Sequence, residues 1–232
     1  LGMKGTHFMN ATGLPDPNHY TTAYDMAILA RAIIHDSSRY YPIYSEKEFT
    51  FNKIKQGNRN ALLFTDPTVD GLKTGHTDEA GYCLVASSKR GTMRLISVVM
   101  GTKSMQERAD QTRALFSWGF ANYESAVVPA AGGVLATPKV WFGKSDLVKA
   151  GLAADLAVTL PRGERDKLKT EMAINPEVSA PITKGQELGK INVILDGKII
   201  ASQPLVAMDS VDEANFFVRL WHHILRFFSH LF

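Results

Sequence analysis

Lys73, Thr74 and Gly75 stand in a row, preceded by Asp70-Gly71-Leu72 and followed by His76-Thr77. Together they have the chemistry to hold an extended, anionic ligand. A strand edge offers backbone groups to a peptide laid beside it. Lys73 would supply positive potential there. The Thr74 hydroxyl can reach an anionic group of the ligand, and Gly75 leaves no side chain to obstruct close approach. The plainer reading is a strand end entering a turn, with Lys73 solvated. A nucleophile for such a lysine to serve is missing. No serine is followed three residues later by lysine: Ser45 has Glu48 in that place and Ser87 has Arg90. Ser-x-Asn is absent too.

Other chemistry-bearing residues are weaker candidates. Asp70 and Asp78 offer two carboxylates, but nearby lysine and backbone donors favour a structural role. His7, His19 and His35 lack metal-site spacing and read as surface or core histidines. Cys83, the one cysteine, excludes an internal disulfide and a multi-cysteine zinc site. Beside Tyr82 on an expected strand, it reads as a small buried hydrophobe.

Mixed helices and strands must position the Lys73 row. Thr22 and Asp25 resemble a capping box with Asp for the usual Glu. Met26, Leu29, Ala30, Ile33 and Ile34 then recur at helical spacing. Residues 61–73, 81–88 and 93–101 read as strands, the last two joined through Lys89-Arg90-Gly91. Val98-Val99-Met100 suits a central strand covered on both faces. Ala109, Thr112, Leu115, Phe116 and Tyr123 suggest a helix over 106–123 laid on that sheet.

The texture changes near residues 124–134, where Pro129-Ala130-Ala131-Gly132-Gly133 reads as a linker. Leu156, Val158 and Leu160 then share one strand face, and Leu168, Thr170, Met172 and Ile174 another. Asp196-Gly197 is a strong hairpin signal. Short strands with frequent turns suggest a small all-β domain.

The last segment has its own pattern. On a helix from Phe216, the residues Phe216, Phe217, Val218, Leu220, Trp221, Ile224, Leu225, Phe227, Phe228, Leu231 and Phe232 fill an arc of about 200°. Arg219, His222, His223, Arg226, Ser229 and His230 fill the rest. Such a helix, about 26 Å long, has a polar face that forbids spanning. It suits the plane of a membrane interface, with cations toward anionic headgroups. On this reading the histidines gain charge in mild acid and tighten binding to anionic lipid.

Bulk composition is ordinary for a globular protein: 232 residues, 45% hydrophobic and 21% charged. A net charge of +3 from 26 basic and 23 acidic residues gives no electrostatic case for nucleic acid. No run of about 18 apolar residues is long enough for a spanning helix. The chain opens Leu1-Gly2-Met3-Lys4, without a signal-peptide pattern, and reads as part of something longer.

Further landmarks surround the Lys73 row in order: Thr6-His7-Phe8, Gly13-Leu14, Glu46-Lys47-Glu48-Phe49-Thr50-Phe51, Asn58-Arg59-Asn60, Ala80-Gly81-Tyr82 and Met93-Arg94-Leu95-Ile96. Together the chain resembles the low-molecular-mass penicillin-binding proteins, in particular the D-alanyl-D-alanine carboxypeptidase group that includes penicillin-binding proteins 5 and 6. The likeness covers essentially the whole chain. It implies the C-terminal portion of an α/β penicillin-binding domain, serine β-lactamase-like, over 1–123. A small β-rich domain over 124–212 and an amphipathic membrane-anchor helix over 213–232 would follow.

The resemblance implies a periplasmic serine carboxypeptidase at the inner membrane, trimming the terminal D-alanine from peptidoglycan pentapeptides and inhibited by β-lactams. No metal or organic cofactor is implied. The nucleophilic serine, its lysine and the Ser-x-Asn residues lie upstream in that family, so this chain holds no catalytic residue and should be silent alone. Substrate-binding positions carried over are Lys73, Thr74, Gly75, His76, Arg108 and Arg59. Arg108 sits where the family places an arginine associated with the D-alanine carboxylate. A plainer role for it is a surface pair with Glu107 or Asp110. The anchor positions are Phe216, Phe217, Leu220, Trp221, Ile224, Phe227, Phe228 and Leu231. A rival reading makes the chain a non-enzymatic module that binds membrane or cell wall.

Overall fold

The computed structural model describes residues 1–129 and 131–229, the side chains of 227–229 excepted. Two compact units emerge, Leu1–Glu124 and Ser125–Phe232.

In the first unit, helix α1 spans Ala23–Asp36. Thr22 caps it, its side chain accepting from the Asp25 N–H at 3.1 Å. The expected reciprocal half of the box does not form. Asp25 is buried, and its carboxylate instead accepts from the Gly5 N–H at 2.8 Å and the Thr6 hydroxyl at 2.6 Å. It thus pins the first residues of the chain onto α1.

An exposed ribbon pairs β1 (Glu48–Phe51) with β2 (Ile54–Gly57). The expected strand over 61–73 begins later. Residues Leu62–Thr65 form a short helix, α2, and the strand β3 runs Val69–Thr77. Asn60 decides this locally. Its side-chain oxygen accepts from the Leu62 N–H at 3.2 Å, and its amide donates to the Gly71 carbonyl at 3.0 Å. That short polar side chain offers the backbone an alternative to the ladder.

Strands β4 (Gly81–Arg90) and β5 (Met93–Thr102) complete an antiparallel sheet in the order β3-β4-β5. Their turn is at Gly91-Thr92, so Lys89 and Arg90 belong to the ladder, where they pair with Arg94 and Met93. Among the described residues β5 has a strand neighbour on one edge only, and in the run Val98-Val99-Met100 Val99 is buried while Met100 is exposed.

Helix α3, Met105–Asn122, is capped by Ser104, whose hydroxyl accepts from the Glu107 N–H at 3.0 Å. Ala109, Thr112, Phe116, Gly119 and Phe120 are its buried face, whereas Leu115 is exposed, contrary to expectation. Gly119 lets β5 approach closely, since a Cβ there would meet the Leu95 side chain at 2.6 Å.

The second unit is built from strands. β6 (Tyr123–Val127) pairs with β9 (Ala157–Pro161). A five-stranded sheet has the order β10 (Lys169–Ile174), β11 (Glu187–Leu195), β12 (Lys198–Ala207), β8 (Ala150–Gly151), β7 (Val134–Ala136). Leu156, Val158 and Leu160 enter its core as their alternation requires. The Asp196-Gly197 hairpin forms, with φ of 48° and 76°. Met172 and Ile174 do not enter the core, because β10 is an edge strand exposed along its length. Of the linker read at 129–133, Ala130 lies outside the described residues.

Helix α4 spans Phe216–Ser229 and stands with its polarity inverted. Phe216, Phe217, Leu220, Trp221 and Ile224 are exposed, while His222 is buried. His222 Nδ1 accepts from the Phe142 N–H at 2.8 Å, with Trp141 edge-on at 5.8 Å. His223 lies on the Phe142 ring at 4.4 Å. Arg219 pairs with Glu213 at 2.7 Å, and Arg226 with Glu177. The expected free cationic face therefore needs correcting. His222 packs into the β domain and both arginines have carboxylate partners, while His223 stays exposed beside the Phe142 ring. Of the other anchor positions, Leu231 lies outside the described residues, as do the side chains of Phe227 and Phe228; His230 is outside as well. No helix among the described residues is long and apolar enough to cross a membrane.

Replacing Asp25 by Ala removes a charged acceptor from two donors and should lower stability by about 2–3 kcal/mol. Urea unfolding checks this; an unchanged midpoint would mean the first residues are not pinned through Asp25.

Candidate substrate-binding edge

Strand β3 carries the Lys73 row along one border of the sheet. It pairs with β4 on one side, Lys73 opposite Val85, Thr74 opposite Leu84, Gly75 opposite Cys83 and His76 opposite Tyr82. Among the described residues its other edge has no strand partner. Strand alternation sends Lys73 and Gly75 to one face, Thr74 and His76 to the other. Lys73, Gly75 and His76 are exposed. The Lys73 ammonium donates to the Thr74 carbonyl at 2.6 Å, so it hovers over the edge. His76 stacks on Tyr82, with ring centroids 4.0 Å apart. A cavity of about 190 Å³ opens beside Lys73, Thr74 and Gly75, walled by Val85, Val98 and Met100. Cys83 also lines it and is only half-buried, so the expectation of a fully buried thiol does not hold.

Gly75 is informative. A Cβ built there would meet only the Cys83 Cβ, at 4.0 Å. Nothing in the chain itself needs glycine at this position, in contrast with Gly81. There φ is +64° and a Cβ would approach the Thr102 carbonyl oxygen to 2.9 Å.

Arg108 reaches this edge from α3. Its residue is 3% exposed. Nη1 donates to the carbonyls of Gly75 at 3.2 Å and Cys83 at 3.3 Å, and Nη2 donates to the Arg59 carbonyl at 3.3 Å. Tyr82 lies beneath the guanidinium at 5.6 Å. Burial pushes its pKa below the ordinary arginine value. Of the residues the sequence nominated, Lys73, Thr74, Gly75 and His76 thus share one strand, and Arg108 ties the Arg59 backbone to it. The Arg59 side chain itself is exposed. Neither Glu107 nor Asp110 pairs with Arg108 among the described contacts; Asp110 pairs with Arg113 at 2.6 Å.

Residues 1–104 match the family model described as D-alanyl-D-alanine carboxypeptidase, and residues 123–213 match the penicillin-binding protein 5 C-terminal domain. Over 234 aligned residues the chain is 45% identical to D-alanyl-D-alanine carboxypeptidase DacA of Escherichia coli, covering 100% of this chain and 58% of that protein. The chain belongs to the D-alanyl-D-alanine carboxypeptidase family.

Its counterpart DacA from Haemophilus influenzae is 47% identical, over 95% of this chain and 57% of that protein. The solved penicillin-binding protein 5 of the same organism superimposes with a TM-score of 0.76 at 46% identity, over 91% of this chain and 62% of that one. The chain therefore spans about three-fifths of the length of these carboxypeptidases.

Sequence reasoning missed one cluster at the start of β3. Asp70 Oδ1 accepts from Arg94 at 2.7 Å and from the Tyr41 hydroxyl at 2.9 Å. Arg94 also donates to the Ser87 hydroxyl at 2.6 Å. Asp70 is structural, as expected, but its partners are an arginine and a phenol on distant segments rather than nearby lysine and backbone donors. Burial, together with Asp70, pushes the Tyr41 hydroxyl up to about 12. A signal was present, because Arg94 was among the landmarks; nothing in one sequence said which carboxylate it would meet.

Two outcomes test this geometry. The unfolded chain ionises Tyr41 near its ordinary value of about 10, whereas the folded chain keeps the proton to about 12. Tyr41 should therefore cost stability as pH rises through that window and have no titration effect below it. Comparing wild type with Tyr41→Phe by denaturant unfolding between neutral and strongly alkaline pH checks this; parallel pH profiles would refute it. Replacing Arg108 by Ala removes a charged donor from three part-buried carbonyls and should cost about 2–3 kcal/mol even without ligand. A variant with wild-type stability would mean that the guanidinium is not holding the edge.

Proposed function

We propose that the whole protein is a serine-type D-alanyl-D-alanine carboxypeptidase and that this chain supplies its substrate-binding strand. The Gly75 position carries the reading. An exposed strand edge keeps a glycine that its own packing does not need, between a lysine and a half-exposed histidine–tyrosine stack. A ligand backbone lying against that edge is what the missing side chain accommodates. The substrate would be a peptidoglycan pentapeptide, its terminal carboxylate toward Lys73 and Thr74. A serine outside these 232 residues attacks the carbonyl between the two D-alanines. The terminal D-alanine leaves with a proton, and water hydrolyses the ester. β-Lactams would acylate the same serine.

Arg108 fits a positioning role in this scheme. Its donors hold the carbonyls of Gly75, Cys83 and Arg59, so it would shape the edge rather than fork the substrate carboxylate. Arg59, whose side chain is exposed, stays a candidate to meet that anion.

The inverted polarity of α4 supports a second part of the proposal: attachment to the periplasmic face of the inner membrane. A helix on a soluble domain normally buries its apolar arc. Here the buried side is polar, and Phe216, Phe217 and Trp221 face outward. Insertion of those rings into the acyl boundary would dominate over charge, since both arginines already have partners.

The full-length protein should form a covalent adduct with fluorescent penicillin, more slowly after Lys73→Ala, while the chain alone should form none. A stoichiometric serine adduct on the chain alone, or none on the full-length protein, contradicts the reading. In liposome flotation, the chain should float and remain bound in high salt, and a chain ending at Glu213 should not. Equal flotation of both would remove the anchor.

A further inference from the structure

His76 is exposed, and among the described residues its ring makes one aromatic contact, with Tyr82. The ring centroids are 4.0 Å apart and the planes are tilted by 36°. The two residues stand opposite each other in the β3–β4 ladder, so both side chains rise from one face of the sheet. Strand alternation puts Thr74 on that face as well. An exposed imidazole with nothing to lean on would exchange among its rotamers. Here the Tyr82 ring sets where it stands.

Tyr82 is itself held by its neighbours. Its carbonyl accepts from the Thr102 hydroxyl at 2.9 Å. The residue before it, Gly81, lies so close to the Thr102 carbonyl that a Cβ would meet that oxygen at 2.9 Å. Strand β5 bulges here: Tyr82 pairs with Thr102 and Leu84 with Val99, so β5 carries one residue more than β4 across this step. Gly101 supplies the turn, with φ of +75°. Bulges of this kind re-aim the side chains beside them. On the helix side, the Arg108 guanidinium lies 5.6 Å from the Tyr82 ring. Both side-chain contacts of Tyr82 are thus made by its ring and not by its hydroxyl.

Aromatic pairs across strands stabilise sheets wherever they occur. This one is set apart by where it sits. Arg108 fixes the backbone at Gly75 through the carbonyl, and Tyr82 fixes the side chain of the very next residue. Backbone and imidazole are therefore both placed before a ligand arrives, which is what a binding edge needs to act without reorganising. We propose that Tyr82 is a positioning residue: it acts through His76, holding the imidazole in one orientation beside a peptide laid against Gly75. This rests on the carboxypeptidase reading above.

The test uses full-length protein and diacetyl-lysyl-D-alanyl-D-alanine, with D-alanine release giving kcat/KM. Tyr82→Leu should lower kcat/KM about three- to tenfold, the range open to an aromatic pair. Tyr82→Phe keeps the ring and should restore most of that loss. In a His76→Ala background, Tyr82→Leu should cost less than about twofold further, because the partner it acts through is gone. An undiminished loss in that background overturns the proposal, and so does a Tyr82→Phe variant as slow as Tyr82→Leu. Wild-type kcat/KM in Tyr82→Leu or in His76→Ala also overturns it, and leaves the carboxypeptidase reading intact. NMR of histidine-labelled full-length protein covers the case in which Tyr82→Leu does not fold. Assigned through His76→Ala, the His76 ring protons should lie upfield of a free imidazole in wild type and in Tyr82→Phe, shielded by the stacked ring. His76 ring protons at the free-imidazole position overturn the proposal. No D-alanine release by the wild type overturns the carboxypeptidase reading, and the role of Tyr82 with it.

Discussion

The candidate site depends on one buried guanidinium. Arg108 sits on α3 yet spends its donors on carbonyls of β3, β4 and the Arg59 loop. A buried charge is tolerable only when its donors are satisfied, and a planar fork can meet several acceptors at once. Lysine, with one ammonium on a flexible stem, could not hold the same three points. Helix, sheet and loop are thereby locked at the level of Gly75, where an incoming peptide would lie. The second ionic cluster, Arg94 with Asp70 and Tyr41, fixes the start of the same strand. Charged hydrogen bonds thus hold β3 at Asp70 and again at Gly75, within the row from Lys73 to His76.

Local patterns were legible in the sequence, long-range polar partners were not. Periodicity placed α1, α3, β4 and β5, because one apolar face against water repeats at a readable interval. The Asp196-Gly197 hairpin was legible because few residues tolerate a positive φ at both turn positions. The start of β3 was misread, since the apolar run Leu62-Leu63-Phe64 reads equally as strand or helix, and Asn60 tips it. Leu115 and Met172 obeyed the period and still faced outward, because exposure depends on which neighbours exist, not on spacing alone. For the site, the Lys73 row was legible as a motif. Arg108 was nominated by resemblance; its contacts with the carbonyls of Gly75, Cys83 and Arg59 were not legible, because the sequence does not say which distant backbone groups a guanidinium will meet.

The β domain shows a different constraint. An amphipathic helix has two faces and one of them must meet the protein. Here Phe142 and Trp141 receive the histidine side of α4, and Glu177 and Glu213 receive its arginines. Of the polar residues that the sequence assigned to headgroups, His222, Arg219 and Arg226 are engaged in docking. Among the described residues the outward side is dominated by Phe216, Phe217, Leu220, Trp221 and Ile224, so a surface met there would be met mainly through hydrophobic burial.

The central claim is that Arg108 is committed to the chain before any ligand binds. Nitrogen-15 NMR of the arginine side chains, in the unliganded chain at low temperature, tests it most directly. The account predicts separate, slowly exchanging Nη proton signals for Arg108, held by three carbonyls, and averaged signals for the exposed Arg59. Averaged, rapidly exchanging Nη protons on Arg108 would contradict it.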